Sequence, residues 1–358
     1  MSTISTADAR ALFTKKLVAV YSERNTPTTF LRSFFREDLS DTKEVSIEVE
    51  RGTELIAVDV ERGTEGNRNS FSKSTEKIFV PPYYREYFDM TDLNFYDRLF
   101  TSTGTVDLNT FNRMMDKIAD SFQKLQNKID RSYEVQASQV FETGVVTLIN
   151  GTNIDFKRKA ASLIAYGAGH GWAIATVDPT VILESGCDFL RTKGKMSGGV
   201  VNAIVGSEAL SSLLSNPLFV DKANLRRVSL VDVTGPRRDV TGAALHGEIS
   251  VGSYTVRLWT YPQFYDTKAA SHIPYVNPKK VVLVPESPNF VLAYAAVPQI
   301  MMANNETVVR GVQNQTGKYL LAEYIDERAS AHIGDMKSAG IAVPVAVDQI
   351  FTAQVIAS

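Results

Sequence analysis

Residues 107–144 read DLNTFNRMMDKIADSFQKLQNKIDRSYEVQASQVFETG. Phe111, Met115, Ile118, Phe122, Leu125 and Ile129 recur at spacings of 4, 3, 4, 3 and 4. Tyr133, Ala137, Val140 and Phe141 continue the stripe. An α-helix brings such positions onto one face. Asp107 suits the N-cap and Gly144 the position just past the C-terminus, with no proline between them. The expected helix spans residues 108–143 and measures about 54 Å at about 1.5 Å per residue. Its other face is expected to carry Arg113, Asp116, Asp120, Lys124, Lys128 and Asp130. One apolar stripe on so long a helix describes a spine laid across a domain rather than a member of a compact bundle. A coiled coil is the alternative, and the aromatic and Met residues on the seam speak against it.

Working outward, residues 145–149 are a β-type run, and Asn150-Gly151 separates them from Ile154 and Phe156. Asn-Gly between two apolar runs signals a tight hairpin. Upstream, Val45, Ile47 and Val49 alternate with Ser46 and Glu48, the period of a strand. A second run at 55–60 follows, then the polar stretch 61–77 with Phe71 as its one large apolar residue. Ile78-Phe79-Val80 closes the unit at Pro81-Pro82. Strand, polar tip and strand make an extended hairpin that cannot bury itself, and long loops of this kind are functional or disordered. Residues 83–100 are rich in aromatics, read either as local packing or as an intersubunit surface. Residues 6–21 form a short amphipathic helix by pattern, and a breaker cluster at 25–29 ends it. Phe30, Leu31, Phe34 and Phe35 then gather on one helical turn, interleaved with Arg32 and Arg36. That knot is either a core anchor or a dock for a neighbouring subunit.

Downstream, Asp178-Pro179-Thr180 starts a helix through Leu190. Residues 194–199 are Gly-rich and are read as a flexible link and a domain boundary. Beyond them the texture is mixed α/β: a buried strand at 202–206, a helix at 207–214, and strands at 229–233, 248–251, 254–260 and 281–284. The tail adds strands at 319–325 and near 350–356.

The 358 residues are 44% hydrophobic, enough for about two domains. Lys plus Arg total 38 against 40 Asp plus Glu, a net charge of −2, with no long basic run. A chain that grips nucleic acid through phosphates would carry a basic face. The single cysteine, Cys187, fits a reducing compartment. The N-terminus lacks a secretory pattern, and no apolar run reaches membrane-spanning length. His170, His246, His272 and His332 show no metal-ligand spacing. The Gly167–Gly171 run lacks the third glycine of a dinucleotide fingerprint, and neither a phosphate loop nor a nucleophile elbow occurs. No catalytic, cofactor-binding or metal residue is nominated.

Phe30-Leu31-Arg32-Ser33-Phe34-Phe35-Arg36-Glu37 resembles the FLR-x-FFRE signature of the lambda-type major capsid proteins of tailed phages, the phage major capsid protein E family. Arg62-Gly63-Thr64 near the loop tip and Pro81 after it, Asp130-Arg131 with Glu134 to Glu142, Val201-Asn202-Ala203-Ile204-Val205, Ser338-Ala339-Gly340-Ile341 and the run from Asp348 to Val355 are similar to later pieces of that family, in the same order. The resemblance covers nearly the whole chain. Residues 221–247 match nothing in it.

The resemblance implies an α+β chain with the Hong Kong-97-like capsid fold. It implies an N-arm and anchor at 1–43, an extended E-loop at 44–85, a P-domain with the spine helix at 86–185, an A-domain at 186–316, and closing strands at 317–358 that return to the P-domain. It implies a major capsid protein that assembles as pentamers and hexamers around double-stranded DNA without binding it specifically. It further implies a virion location, assembly in the bacterial cytoplasm, and no membrane or cofactor. The expected partners are a separate scaffolding protein and a portal, with room for a decoration protein. The intersubunit contacts it points to are Phe30, Arg32, Phe34, Phe35 and Arg36 in the anchor, and Arg62, Arg68, Phe71 and Lys73 in the loop. Three rivals remain at this point: an encapsulin-like compartment shell, a soluble α/β enzyme, and a tail-tube protein.

Overall fold

The computed structural model describes residues 27–49, 75–91, 108–148, 153–167, 169–225, 237–238, 241–302, 309–326 and 331–357. The helix expected at 6–21, the strand expected at 229–233 and the polar tip of the loop lie outside them.

The spine helix runs over Leu108–Glu142, 35 residues, within a residue of its expected bounds. Ile118, Ile129, Tyr133, Ala137, Val140 and Phe141 are buried, as their spacing requires. Gly144 ends the helix at φ +74°, and its N–H donates to the carbonyls of Gln139 and Val140, both at 3.1 Å. A left-handed residue here costs least as glycine. Asp130 departs from expectation: it is 8% exposed and does not belong to the solvated face. It turns inward because Arg32 meets it there at 2.5 Å.

Two three-stranded sheets lean on this helix. One has the order Leu320–Asp326, Ala331–Ser338, Tyr84–Thr91, all antiparallel. Its inner face rests on the helix through Phe88 on Phe122 (ring centroids 5.0 Å apart, edge to face) and Tyr84 on Tyr133 (5.5 Å). Tyr87 of the same strand is 64% exposed, and residues 92–100 of the aromatic stretch lie outside the described residues. The other sheet pairs Arg36–Leu39 parallel to Phe290–Tyr294, and Phe290–Tyr294 antiparallel to Gly340–Pro344. Arg36–Leu39 is exposed along its whole length and carries no alternation, which is why the sequence shows no strand there.

A seven-stranded mixed sheet forms the rest of the body. Its order is Leu163–Ala165, Phe351–Gln354, Lys280–Pro285, Val200–Val205, Tyr254–Thr260, Ala244–Val251 and Arg237–Arg238. Both faces are covered. Ile204, Val282 and Val284 enter the core shared with the spine helix. Val201, Ala203, Val205, Val281 and Leu283 enter a second core with the helices Pro179–Thr192, Ser207–Ser215 and Pro217–Leu225. Burial on two sides explains the unbroken apolar runs of the central strands. The Pro179–Thr192 helix starts as expected, with the Asp178 carboxylate accepting from the Thr180 N–H at 3.0 Å. The Gly-rich segment after it is not a loose link. Met196 is 3% exposed, its N–H reaches the Leu190 carbonyl at 3.1 Å, and Gln349 donates to the Gly194 carbonyl at 3.1 Å.

Four pairs of strands stand as two-stranded sheets among the described residues. Val45–Val49 pairs with Thr75–Phe79, with Val45 opposite Phe79. Its foot is held by buried Val45 and by Phe79, whose ring lies 5.3 Å from that of Phe156. The second hairpin pairs Val297–Met302 with Val309–Gln315. The tight hairpin signalled by Asn150-Gly151 is present as Val145–Thr147 against Asn153–Asp155, its turn lying outside the described residues.

Candidate functional site

The aromatic knot at residues 30–35 sits where three parts of the fold meet. Arg32–Phe34 form a single 3-10 turn, as the 30–35 spacing requires. Phe30 (4% exposed), Leu31 (0%) and Phe35 (5%) are buried in their own chain. The ring of Phe30 packs on Trp259 at 5.3 Å and Tyr261 at 5.5 Å, and that of Phe35 on Phe290 at 5.3 Å and Phe141 at 5.5 Å. These two rings therefore take the core-anchor role and are not free to dock on a neighbour. Phe34 is half-buried against Phe141, and Arg36 is exposed. Arg32 is committed to Asp130. Arg62, Arg68, Phe71 and Lys73 lie outside the described residues.

The polar side of this joint escapes a hydrophobicity reading. Asp130, Glu134, Ser138 and Glu142 recur at intervals of four along the spine helix, beside the apolar stripe. Each reaches a different piece of backbone or side chain. Asp130 binds Arg32 and accepts from the Tyr319 hydroxyl. Glu134 accepts from the Leu31 N–H at 2.8 Å, the Arg32 N–H at 3.1 Å and the Tyr261 hydroxyl at 2.8 Å. Ser138 donates to the Tyr275 carbonyl, and Glu142 accepts from the Asn277 N–H at 2.5 Å. Gln136, on the adjacent row, accepts from the Ala342 N–H at 3.1 Å and donates to Tyr84 at 2.8 Å. Tyr133 shares a 2.5 Å hydrogen bond with Ser338. The one available signal was an acid at an inward-facing helix position.

Glu134 is fully buried. Burial pushes its carboxyl up to about 7, against the three hydrogen bonds and the nearby Arg32 charge that favour the ionised form. Burial likewise raises Tyr275 to about 12, with the Glu134 charge adding to it. Below these groups lies an open groove of about 310 Å³ between the end of the spine helix and the hairpin Phe264–Tyr265 with Ile273–Pro274.

Residues considered for chemistry do not converge. Cys187 is wholly buried in the second core, and burial pushes its thiol up to about 12. His246 shares a 2.7 Å hydrogen bond with Thr260, and His272 stacks on Phe264 at 4.6 Å. Among the described residues no group of three His, Cys, Asp or Glu could hold a metal ion, and no helix is long and apolar enough to cross a membrane.

With its long helix, the aromatic segment packed on it, a two-stranded hairpin and a mixed α/β sheet, the chain has the Hong Kong-97-like capsid fold. Among solved structures, a protein described as a prophage capsid protein of E. coli CFT073 aligns with a TM-score of 0.60 at 16% identity, over 99% of this chain and 100% of that one. A phage-related protein from Bordetella bronchiseptica RB50 aligns at 0.48 and 10% identity, over 94% of each chain. The mature capsid of bacteriophage PhiM1 aligns at 0.46 and 11% identity, over 89% of this chain and 84% of that one. No curated protein matches the chain. The sequence profile of phage major capsid protein E matches residues 14–355, and the chain belongs to that family. It is a capsid shell protein.

Proposed function

We propose that this chain is the major capsid protein of a tailed phage, and that its subunits gather as pentamers and hexamers into a closed head around double-stranded DNA. The role is geometric and not catalytic. The observation that carries this reading is the hairpin Val45–Val49 with Thr75–Phe79, whose foot is packed on the body by Val45 and by Phe79 against Phe156. A lone two-stranded hairpin is marginal in water, so a surface supplied by another subunit is needed to stabilise its length. We assign residues 44–85 as the E-loop, lying across the spine helix of the next subunit, with Arg62, Arg68, Phe71 and Lys73 as its contacts. Phe34 and Arg36 are the anchor residues left to face a neighbour. The N-arm takes residues 1–43, the P-domain 86–185, the A-domain 186–316 and the closing strands 317–358.

Many weak contacts suffice, because a closed shell sums them. The charge of −2 suits a wall that contains DNA without gripping phosphates. Scaffolding and portal proteins are separate partners, and assembly takes place in the host cytoplasm.

Negative-stain microscopy of the purified chain, with its mass measured by size exclusion, tests the reading. Closed shells or rings of five and six are expected. Replacing residues 61–73 by a short Gly-Ser link is expected to leave soluble capsomers and no shells. A monomer or dimer that persists at high concentration overturns the proposal.

A further inference from the structure

The strand Tyr84–Thr91 is the edge of its sheet. It pairs along its whole length with Ala331–Ser338, and among the described residues no strand pairs with its other side. Its side chains alternate. Tyr84, Glu86 and Phe88 turn to the spine helix, where Tyr84 packs on Tyr133, Phe88 packs on Phe122 and Glu86 meets Lys128 at 2.6 Å. Tyr83, Arg85, Tyr87 and Asp89 turn the other way and are exposed. An edge of 8 residues without a proline is a template for another strand, and its one inward charge, Glu86, is neutralised by Lys128. Under the outer face Asp335 is 1% exposed. Arg85 holds one of its carboxylate oxygens at 2.9 Å, and the other has no hydrogen-bond partner among the described residues. Buried polar atoms are normally paired, so one subunit leaves this face unfinished.

The order of the exposed charges selects the occupant. Two antiparallel copies of the strand keep both spine helices on one side of the joined sheet only when outward residues stand opposite outward residues. With Tyr87 opposite Tyr87 of a second copy, Arg85 stands opposite Asp89 and Asp89 opposite Arg85, two cross-strand pairs of opposite charge. A two-fold axis at Glu86 sets Arg85 against Tyr87 and Asp89 against Tyr83. An axis at Phe88 sets Arg85 against Thr91 and Asp89 against Tyr87. Only the register centred on Tyr87 pairs both charges, and it overlaps the two strands almost end to end. We propose that Tyr84–Thr91 pairs in this register with the same strand of a second copy, joining two three-stranded sheets across a two-fold axis. Such a contact uses the same patch on both subunits and closes on itself, unlike the head-to-tail contacts that build a ring of five or six. Its place between two capsomers rests on the capsid reading.

Tyr87→Cys in the full chain tests the pairing. The two new thiols sit on Cα atoms about 4.5–5.5 Å apart, inside the disulfide range of about 4.4–6.8 Å, and the native Cys187 is buried. Tyr83→Cys lies on the same exposed face, but in this register its two copies are about 26 Å apart along the strands. Mild oxidation is expected to turn Tyr87→Cys into a covalent dimer on a non-reducing gel and to leave Tyr83→Cys monomeric. Adding Asp89→Lys to Tyr87→Cys sets like charges opposite each other and is expected to lower the dimer yield severalfold at low salt. No dimer from Tyr87→Cys overturns the proposal and means that another segment or another protein covers the edge. Equal yields from the two cysteine variants also overturn it. Should Tyr87→Cys not fold, hydrogen exchange of the unaltered chain serves: amides of residues 84–91 are expected to slow severalfold as concentration rises, and unchanged exchange overturns the proposal. Dimers through Tyr87 in a chain that never forms shells or rings refute the capsid reading alone, and shells without this cross-link refute the pairing alone.

Discussion

A β-carbon on Gly144 would stand 2.3 Å from Cδ of Arg158, and Arg158 needs that space to reach the carbonyl oxygen of Phe141 at 2.9 Å. The residue that ends the spine helix and the residue that covers its last carbonyls are therefore fitted to each other. Gly144→Ala meets two penalties at once, a left-handed φ of +74° and that collision. The expected loss is about 2–4 kcal/mol in chemical denaturation of the subunit. A loss below about 0.5 kcal/mol would show that Arg158 moves aside freely.

Arg158 itself donates to Phe141, Ser162 and Ile350 carbonyls and to the Thr352 hydroxyl, at 2.9 to 3.1 Å. It ties the helix end, the turn before Leu163–Ala165 and the strand Phe351–Gln354 into one piece. Arg158→Met leaves the Ser162 and Ile350 carbonyls without this donor, while the Phe141 carbonyl keeps the Thr352 hydroxyl, and is expected to cost roughly 3 kcal/mol. Arg158→Lys is expected to recover little of it, because one ammonium group cannot span a fork of acceptors. Full recovery by lysine in a thermal melt would argue that the charge alone matters.

The pair Arg32–Asp130 has side chains only 11% and 10% exposed. Removing one partner, as in Asp130→Leu, leaves a buried charge and is expected to cost about 3–5 kcal/mol. The double change Arg32→Met with Asp130→Leu is expected to cost clearly less than the two single changes added together. A double-mutant cycle by urea unfolding reads the difference, and strict additivity would mean the two side chains do not stabilise each other.

Cys187 is wholly buried, and its thiol is pushed up to about 12. A thiol reagent at pH 8 is expected to leave the native protein unmodified and to label it at the rate of unfolding. Labelling as fast as a free thiol would place Cys187 at an accessible surface.

Regular patterns carried what the sequence revealed. The spine helix showed its period over about eight turns, from Phe111 to Phe141, and Asn150-Gly151 and Asp178-Pro179 carried their turn and cap chemistry openly. The loop hairpin was visible because Val45, Ile47 and Val49 alternate. Hidden elements are those held by distant partners. Arg36–Leu39 has the composition of a loop, and becomes a strand only because Phe290–Tyr294 supplies its ladder. Phe290–Tyr294 is buried on both faces and so has no alternation to show. The site was half legible: the aromatic knot was conspicuous, whereas one of its polar partners on the helix, Asp130, looked like solvated charge. Asp130 was read that way because an acid at such a position is exposed unless a cation arrives from elsewhere in the chain.

That same strand pairing sets a timetable for the molecule. Arg36–Leu39 cannot find its ladder until Phe290–Tyr294 has been synthesised, and the sheet beside it waits for Phe351–Gln354. Pairings so distant in sequence form late, after synthesis has passed through most of the chain. A ribosome-bound or prematurely released fragment lacks the strands that seat its anchor. The fold thereby acts as a check on synthesis, leaving Arg36–Leu39 without its ladder in any polypeptide that stops before Phe290.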